Sequence, residues 1–164
     1  MGVWGNAGGI IGYTLNGITI NRCRNAGNIS SGEQSCNAAP VNVGGILGGG
    51  WNDGSCDWII SNTVNTGTLI ERQHSISYIG GVVGDGAYPL LRLSNIANFG
   101  TLLYTVQDTY AEAAIGGILG RGCEAEQTGS TIWNLLQQHA MTNCVNYGTV
   151  QFDSDSNSEE QIDY

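Results

Sequence analysis

The chain has 164 residues, a formal net charge of −9 and no lysine, so five arginines supply all of its basic side chains apart from histidine. Proteins that bind nucleic acid or an anionic membrane surface use clustered cations against phosphate groups, and this composition argues against both classes of partner. The length fits one domain with a continuous core, and no apolar run reaches the roughly 18 residues that suggest membrane insertion.

Pairs of glycine recur along the chain at a constant spacing of 36 residues. They begin at Gly8, Gly44, Gly80 and Gly116, and each pair opens a phrase of two glycines, two aliphatic residues and a further glycine. A repeat of this length indicates one supersecondary unit stacked on copies of itself. We therefore predict a single domain over residues 1–151, with four repeats that start near positions 7, 43, 79 and 115.

Short apolar segments bounded by glycine or asparagine fill each repeat, as in residues 17–20 and 101–104. Such segments are typical of strands and turns. About three strands per repeat with identical corners predict an all-β fold, a right-handed parallel β-helix (a β-solenoid) of about four coils. Successive coils are expected to pair about 4.8 Å apart.

A second phrase, Asn-x-Gly, follows the Gly-Gly phrase in every repeat. We expect its glycine to turn a corner through a positive φ, and its asparagine to join a side-chain amide ladder that runs along the stack. The residues predicted for this structural ladder are Asn25, Asn65, Asn98, Asn146, Gly27, Gly67, Gly100 and Gly148. A buried aliphatic column is expected at Ile10, Ile46, Val82 and Ile118, or at the residues that follow them.

The repeat also predicts a register, in which Tyr13, Gly49, Asp85 and Arg121 occupy one position in successive coils. Asp85 and Arg121 would then be neighbours, and we expect a surface ion pair worth at most about 1 kcal/mol.

Two segments depart from the pattern. Apolar residues at helical spacing in residues 130–141 predict a short helical insert in the fourth repeat, with Ser130 or Thr131 as its N-cap. Residues 152–164 form an acidic tail whose composition is typical of disorder, and we expect it to dock on a neighbouring copy of the chain.

Five cysteines in a chain with few charged residues indicate an oxidising compartment, hence an extracellular or cell-surface location. Cys23 and Cys144 hold the same place in the first and fourth repeats, roughly 14 Å apart within one chain, which is too far for a disulfide. Head-to-tail stacking of two copies would make them neighbours, whereas local pairs such as Cys23–Cys36 or Cys123–Cys144 are alternatives.

The two phrases together resemble the GLUG repeat, named for glycine, leucine, a hydrophobic residue and glycine. The pattern stands here at residues 9–12, 45–48, 81–84 and 117–120, and the accompanying Asn-Cys-x-Asn-x-Gly element at residues 143–148. In the first repeat Arg22 replaces the first asparagine of that element. The resemblance implies a surface, adhesive or spacer role in a secreted or surface-attached microbial protein, and it supplies no catalytic, cofactor or metal-binding residues.

We therefore expect a structural, non-enzymatic protein, either a subunit of a surface fibre or a segment of an adhesin stalk. Only seven residues precede the first Gly-Gly pair, too few to cap the stack, so copies of the chain are the expected partners, assembled head-to-tail.

The alternative is a module that binds or cleaves carbohydrate, and surface glycans remain candidate partners. Acids such as Asp53, Asp57, Asp85 and Asp108 are available for chemistry. The aromatic residues that could stack on sugars are Trp4, Trp51, Trp58, Trp133, Tyr13, Tyr88 and Tyr110. Neither His74 nor His139 lies in a recognisable catalytic motif. Asn28-Ile-Ser30 is the single glycosylation sequon, expected to face solvent just past a corner.

Overall fold

The computed structural model describes residues 5–30, 40–51, 56–73, 76–87, 90–106, 113–122 and 140–154. Within these ranges the protein is all-β. The strands are β1 (Gly5–Gly8), β2 (Ile11–Thr14), β3 (Ile18–Asn21), β4 (Arg24–Asn25), β5 (Ile29–Ser30), β6 (Val41–Gly44), β7 (Leu47–Gly50), β8 (Asp57–Asn65), β9 (Leu69–Gln73), β10 (Ser77–Gly80), β11 (Val83–Asp85), β12 (Leu90–Asn98), β13 (Leu102–Val106), β14 (Ala113–Gly116), β15 (Leu119–Arg121), β16 (Ala140–Asn146) and β17 (Val150–Ser154). No helix in the described part of the chain is long and apolar enough to cross a membrane.

Four parallel sheets run along the molecule, and each takes one strand from every sequence repeat. Sheet A has the order β1-β6-β10-β14, sheet B β2-β7-β11-β15, sheet C β3-β8-β12-β16 and sheet D β5-β9-β13-β17, while β4 also pairs with β8. This stacking of parallel sheets confirms the predicted all-β, solenoid-like arrangement. Each repeat contributes four strands or more where the sequence predicted three.

The strand that was predicted at the Gly-Gly phrase is divided in two. Gly8 ends β1, the next two residues turn, and β2 starts at Ile11, with the same division in the other repeats. We call this turn, which joins sheets A and B, the glycine arch. Within it, sheet B returns so closely along sheet A that a Cβ on Gly48 would lie 2.7 Å from the carbonyl oxygen of Ala7. A side chain there would collide with backbone, which explains the glycine.

Sheets A and B, joined by the glycine arch, divide the interior into two hydrophobic cores. Between sheets B and C, the largest buried residues are Ile46, Leu47, Trp58, Ile60, Leu93 and Ile96. Between sheets A and D, they are Val43, Leu69, Ile79, Leu102 and Tyr104. The predicted aliphatic column lies in the core between sheets B and C, to which members of both alternative sets contribute, whereas Ile10 is exposed.

The tip of the glycine arch reaches the Asn-x-Gly turn, which joins sheets C and D and which we call the asparagine corner. A Cβ on Gly45 would lie 2.4 Å from Cγ of Asn65, and a Cβ on Gly81 would lie 2.5 Å from Cγ of Asn98. The two phrases that recur together in the sequence are therefore in contact in space, and each restricts the other.

Two predictions concern the C-terminal part of the chain, the helical insert and the acidic tail. The predicted helical insert falls mostly outside the described residues, but its last two residues, Ala140 and Met141, begin strand β16. Residues 152–154, assigned to the acidic tail from the sequence, belong to β17 and pair with β13. The remainder of the tail, residues 155–164, lies outside the described residues.

Candidate functional site

The four predicted asparagines lie one above another at the asparagine corner. Nδ2 of Asn25 donates to Oδ1 of Asn65 at 2.9 Å, Asn65 donates in the same way to Asn98 at 2.8 Å, and Asn98 to Asn146 at 2.7 Å. We call this column the inner ladder.

Each inner-ladder amide also closes its own corner. Nδ2 of Asn65 donates to the carbonyl of Gly67 at 3.1 Å, and Oδ1 of Asn65 accepts from the N–H of Gly67 at 3.2 Å. The amides of Asn65 and Asn98 thus use both N–H groups and two acceptor positions. Complete pairing is what allows these two polar side chains to be fully buried.

The corner glycines have a different role from the one predicted. No described glycine has a φ between +20° and +160°, so the positive φ expected at Gly67 and its equivalents is wrong. Close approach is the reason for glycine here. A Cβ on Gly67 would lie 2.0 Å from the carbonyl oxygen of Gly27, and a Cβ on Gly100 would lie 2.0 Å from that of Gly67. Each corner glycine after the first thus faces the carbonyl of the preceding repeat.

A second column of amides, the outer ladder, was not predicted. Nδ2 of Asn143 donates to Oδ1 of Asn95 at 3.1 Å, Asn95 donates to Asn62 at 3.0 Å, and Asn62 to Oδ1 of Asn21 at 2.9 Å. All of these hydrogen bonds are exposed. The sequence signal was an asparagine three residues before the inner-ladder residue in repeats two to four.

Backbone geometry explains why asparagine recurs in the outer ladder. Asn62, Asn95 and Asn143 have φ values of 51°, 52° and 51°. This left-handed region costs asparagine less than other residues with a Cβ. In repeat one the equivalent residue is Arg22, with φ 56°, and the neighbouring Asn21 completes the ladder instead.

Asp85 and Arg121 form an ion pair in the predicted register, with β11 and β15 adjacent. Nε of Arg121 donates to Oδ1 of Asp85 at 2.9 Å, and Nη2 donates to Oδ2 at 2.6 Å. The surface location predicted for this pair is wrong, because the two side chains are only 2% and 13% exposed. They lie between sheets A and B. There the Arg121 guanidinium stacks over the ring of Tyr78 at 4.0 Å and donates to its hydroxyl at 3.1 Å.

Cys23 and Cys144 occupy one column of sheet C, at opposite ends of the stack. Ile96 pairs with both Thr63 and Cys144, and Arg24 pairs with Val64, which sets Cys23 beside Thr63. Both sulfurs pack against the core between sheets B and C, and neither is in a disulfide. Burial raises the pKa of the Cys144 thiol, although its interactions with the backbone of Ile96 and Thr142 oppose the rise.

The outermost repeats expose apolar positions that the inner repeats bury. Phe152 is 54% exposed, whereas Tyr104, its partner on β13, is 1% exposed. Ile10 is 44% exposed, whereas its equivalent Ile46 is completely buried. Among the described strands, none pairs with the outer edges of β1, β2, β3 and β5, the N-terminal face, or of β14 to β17, the C-terminal face.

The remaining candidate residues are dispersed. Asn28 is exposed and its Oδ1 accepts from the N–H of Thr68 at 3.0 Å. Asp57 pairs with Arg92 on the surface at 3.3 Å, whereas Asp85 is buried. Asp53, Asp108, His74 and His139 lie outside the described residues. In the described ranges, no three His, Cys, Asp or Glu side chains are grouped so that they could hold a metal ion.

Comparison of the chain with protein-family models, with curated proteins and with solved structures gives no match. The arguments about function below therefore rest on the ladders, the buried ion pair and the two faces of the stack.

Proposed function

We propose that this protein is a structural, non-enzymatic, extracellular β-solenoid that assembles head-to-tail into a surface fibre or an adhesin stalk. In this proposal the stack is right-handed and consists of about four coils, and the resemblance to GLUG repeats reflects a shared surface role. The C-terminal face of one copy pairs with the N-terminal face of the next, in the parallel manner that joins the repeats within the chain.

The contrast between end and inner repeats carries the proposal. A parallel sheet buries each strand by placing another beside it. Tyr104 and Phe152 are neighbours in one column, and they differ mainly in that a described strand lies on both sides of Tyr104 but on one side only of Phe152. Exposed strand edges with unpaired backbone groups are templates for pairing with another chain. Because the two faces differ and lie at opposite ends of the stack, repeated contact between them adds copies along the stack, and such a contact produces a filament when the rotation between copies does not close a ring.

Sedimentation velocity of the purified chain over a wide range of concentration tests the proposal. We expect species much larger than the 17.3 kDa monomer at neutral pH without any ligand. Truncation after Ser154 keeps β17 intact and asks whether residues 155–164 contribute to the contact. The variant Cys144→Ser, with and without reductant, asks whether Cys23 and Cys144 link copies across the junction. A wild-type chain that stays monomeric at high concentration contradicts the proposal.

The alternative, a carbohydrate-binding module, is favoured by exposed aromatic residues. Phe99 and Tyr147 are stacked at the asparagine corner, with ring centroids 5.1 Å apart and planes 14° from parallel, and both are exposed. The two rings cover one face of each other, so a sugar could stack on the outer face of Tyr147 or on Trp51. Binding of a monomeric chain to a glycan array, lost on Tyr147→Ala or Trp51→Ala, would support this alternative over assembly.

A further inference from the structure

The inner ladder has a direction. Every Nδ2 in it donates toward the C-terminal repeat, so the column begins at Asn25 and ends at Asn146. Asn146 donates to Gly148, and among the described residues its second N–H has no acceptor. At the other end, Oδ1 of Asn25 accepts from Gly27 alone, whereas Asn65 and Asn98 each accept two hydrogen bonds. The C-terminal face therefore presents a donor and the N-terminal face an acceptor.

The outer ladder runs in the opposite direction. Its amides donate toward the N-terminal repeat, which leaves Oδ1 of Asn143 as an acceptor on the C-terminal face. The equivalent position on the N-terminal face is Arg22, an exposed side chain that only donates hydrogen bonds. Joining unlike faces thus matches donor with acceptor in both ladders, whereas joining like faces opposes donor to donor or acceptor to acceptor.

The corner glycines add a steric condition. Every corner glycine after the first faces a glycine carbonyl of the preceding repeat, at 2.0 Å from the Cβ position of Gly67 and at 1.9 Å from that of Gly148. Gly27 has no such carbonyl among the described residues, where the nearest atom to its Cβ position is Oδ1 of Asn25 at 3.6 Å, an ordinary van der Waals distance. A methyl group at Gly27 is therefore compatible with the monomer but occupies the place that a further corner carbonyl would take.

We propose that the junction between copies reproduces the asparagine corner, with Asn146 donating to Asn25 and the carbonyl of Gly148 lying against Gly27 of a second copy. Arg22 then donates to Oδ1 of Asn143 across the same junction. This inference rests on the proposed head-to-tail assembly and adds its polarity and its register. The partner is another copy of this chain, which meets the N-terminal face only through its C-terminal face.

The variant Gly27→Ala tests this junction in the full chain. We expect wild-type circular dichroism and thermal unfolding, because within the described part of the chain the added methyl group meets nothing closer than 3.6 Å. We also expect association to weaken by at least about tenfold, because the methyl group would collide with the incoming carbonyl. Gly67→Ala is the matched control, since the same methyl group one repeat later collides within the chain and should impair folding itself.

Polarity gives a second readout from the same variant. Gly27→Ala keeps an intact C-terminal face, so it should add to the exposed N-terminal face of a wild-type stack and then block further growth there. Small amounts mixed into wild type should shorten the filaments. If Gly27 lay outside the junction, the variant would co-assemble freely with wild type and the filament length would not change.

A charge variant keeps the test decisive should Gly27→Ala prove less stable than expected. Arg22→Glu places an acceptor against Oδ1 of Asn143 and should weaken association, while Arg24→Glu makes the same change of charge two residues away and should weaken it less. A wild-type chain that is monomeric overturns both the assembly and this junction. Wild-type filaments together with unimpaired assembly of Gly27→Ala and of Arg22→Glu overturn this junction alone.

Discussion

Gly81 lies against the side-chain amide of Asn98, so that the glycine of one repeated phrase contacts the asparagine of the other. The distance from the Cβ position of Gly81 to Cγ of Asn98 is 2.5 Å, and the carbonyl oxygen of Gly117 lies 2.0 Å from the same position. The glycine arch can reach the asparagine corner only without a side chain, and the inner ladder is buried only when the arch covers it. Each phrase therefore makes the other necessary.

The inner ladder should contribute measurably to stability. Asn98→Ala removes an amide that pairs with Asn65, Gly100 and Asn146, and leaves their buried polar groups without partners. We expect the free energy of unfolding in urea to fall by about 1–3 kcal/mol. Asn146→Ala, at the exposed end of the same ladder, should cost less. Equal stability of Asn98→Ala and wild type would mean that the ladder does not stabilise the fold.

The buried ion pair should matter far more than the exposed one. Arg121→Met leaves the carboxylate of Asp85 buried without its partner, and we expect a loss of about 3–5 kcal/mol in the free energy of unfolding. Arg92→Met breaks the exposed pair with Asp57, and we expect less than about 1 kcal/mol. Similar losses in both variants would contradict the difference in burial between the two pairs.

In repeat one Arg22 has the positive φ that an asparagine has at the equivalent position of the other three repeats, and arginine is poorly suited to this backbone conformation. Arg22→Asn should raise the free energy of unfolding by about 1 kcal/mol, because asparagine tolerates a φ near 56° better than arginine does. Arg24→Asn makes the same change of charge within strand β4 and should bring no gain. A decrease in stability for Arg22→Asn would show that the arginine side chain contributes more than its backbone costs.

The stability of the fold should decline at alkaline pH. Burial raises the pKa of Tyr104, with the nearby Ser77 hydroxyl opposing the rise and the Glu71 carboxylate adding to it, and burial also raises the pKa of Cys144. The folded state therefore holds these protons more tightly than the unfolded state. Their stabilising contribution is complete below the unfolded pKa values, about 8.5 for cysteine and 10 for tyrosine, and is lost as the pH rises through the folded values.

Urea unfolding at neutral pH and above pH 10 measures this decline. Tyr104→Phe and Cys144→Ser each remove one of the two titrating groups, so each variant should lose less stability with rising pH than wild type does. If both variants follow the wild-type curve, these two groups are not the cause of the decline.

The sequence predicted the fold better than the details of the site. A 36-residue period placed Asp85 beside Arg121, because register in a stacked parallel fold follows from the repeat length. The recurring Asn-x-Gly phrase aligned the four inner-ladder asparagines, although their spacings of 40, 33 and 48 residues depart from that period. The burial of that ion pair was missed because a one-dimensional period does not show that sheets A and B enclose this position. The outer ladder was missed because its left-handed backbone is visible only in three dimensions, and Arg22 conceals the pattern in the first repeat.

The most direct test of head-to-tail stacking is the axial rise in electron micrographs of the purified chain. If each copy adds four repeats to a continuous stack with strands about 4.8 Å apart, filaments should rise by about 19 Å per subunit. They should also show the 4.8 Å strand spacing along the whole axis, without interruption at the junctions. Monomers alone at high concentration, or filaments with a rise unrelated to four strand spacings, would contradict this account.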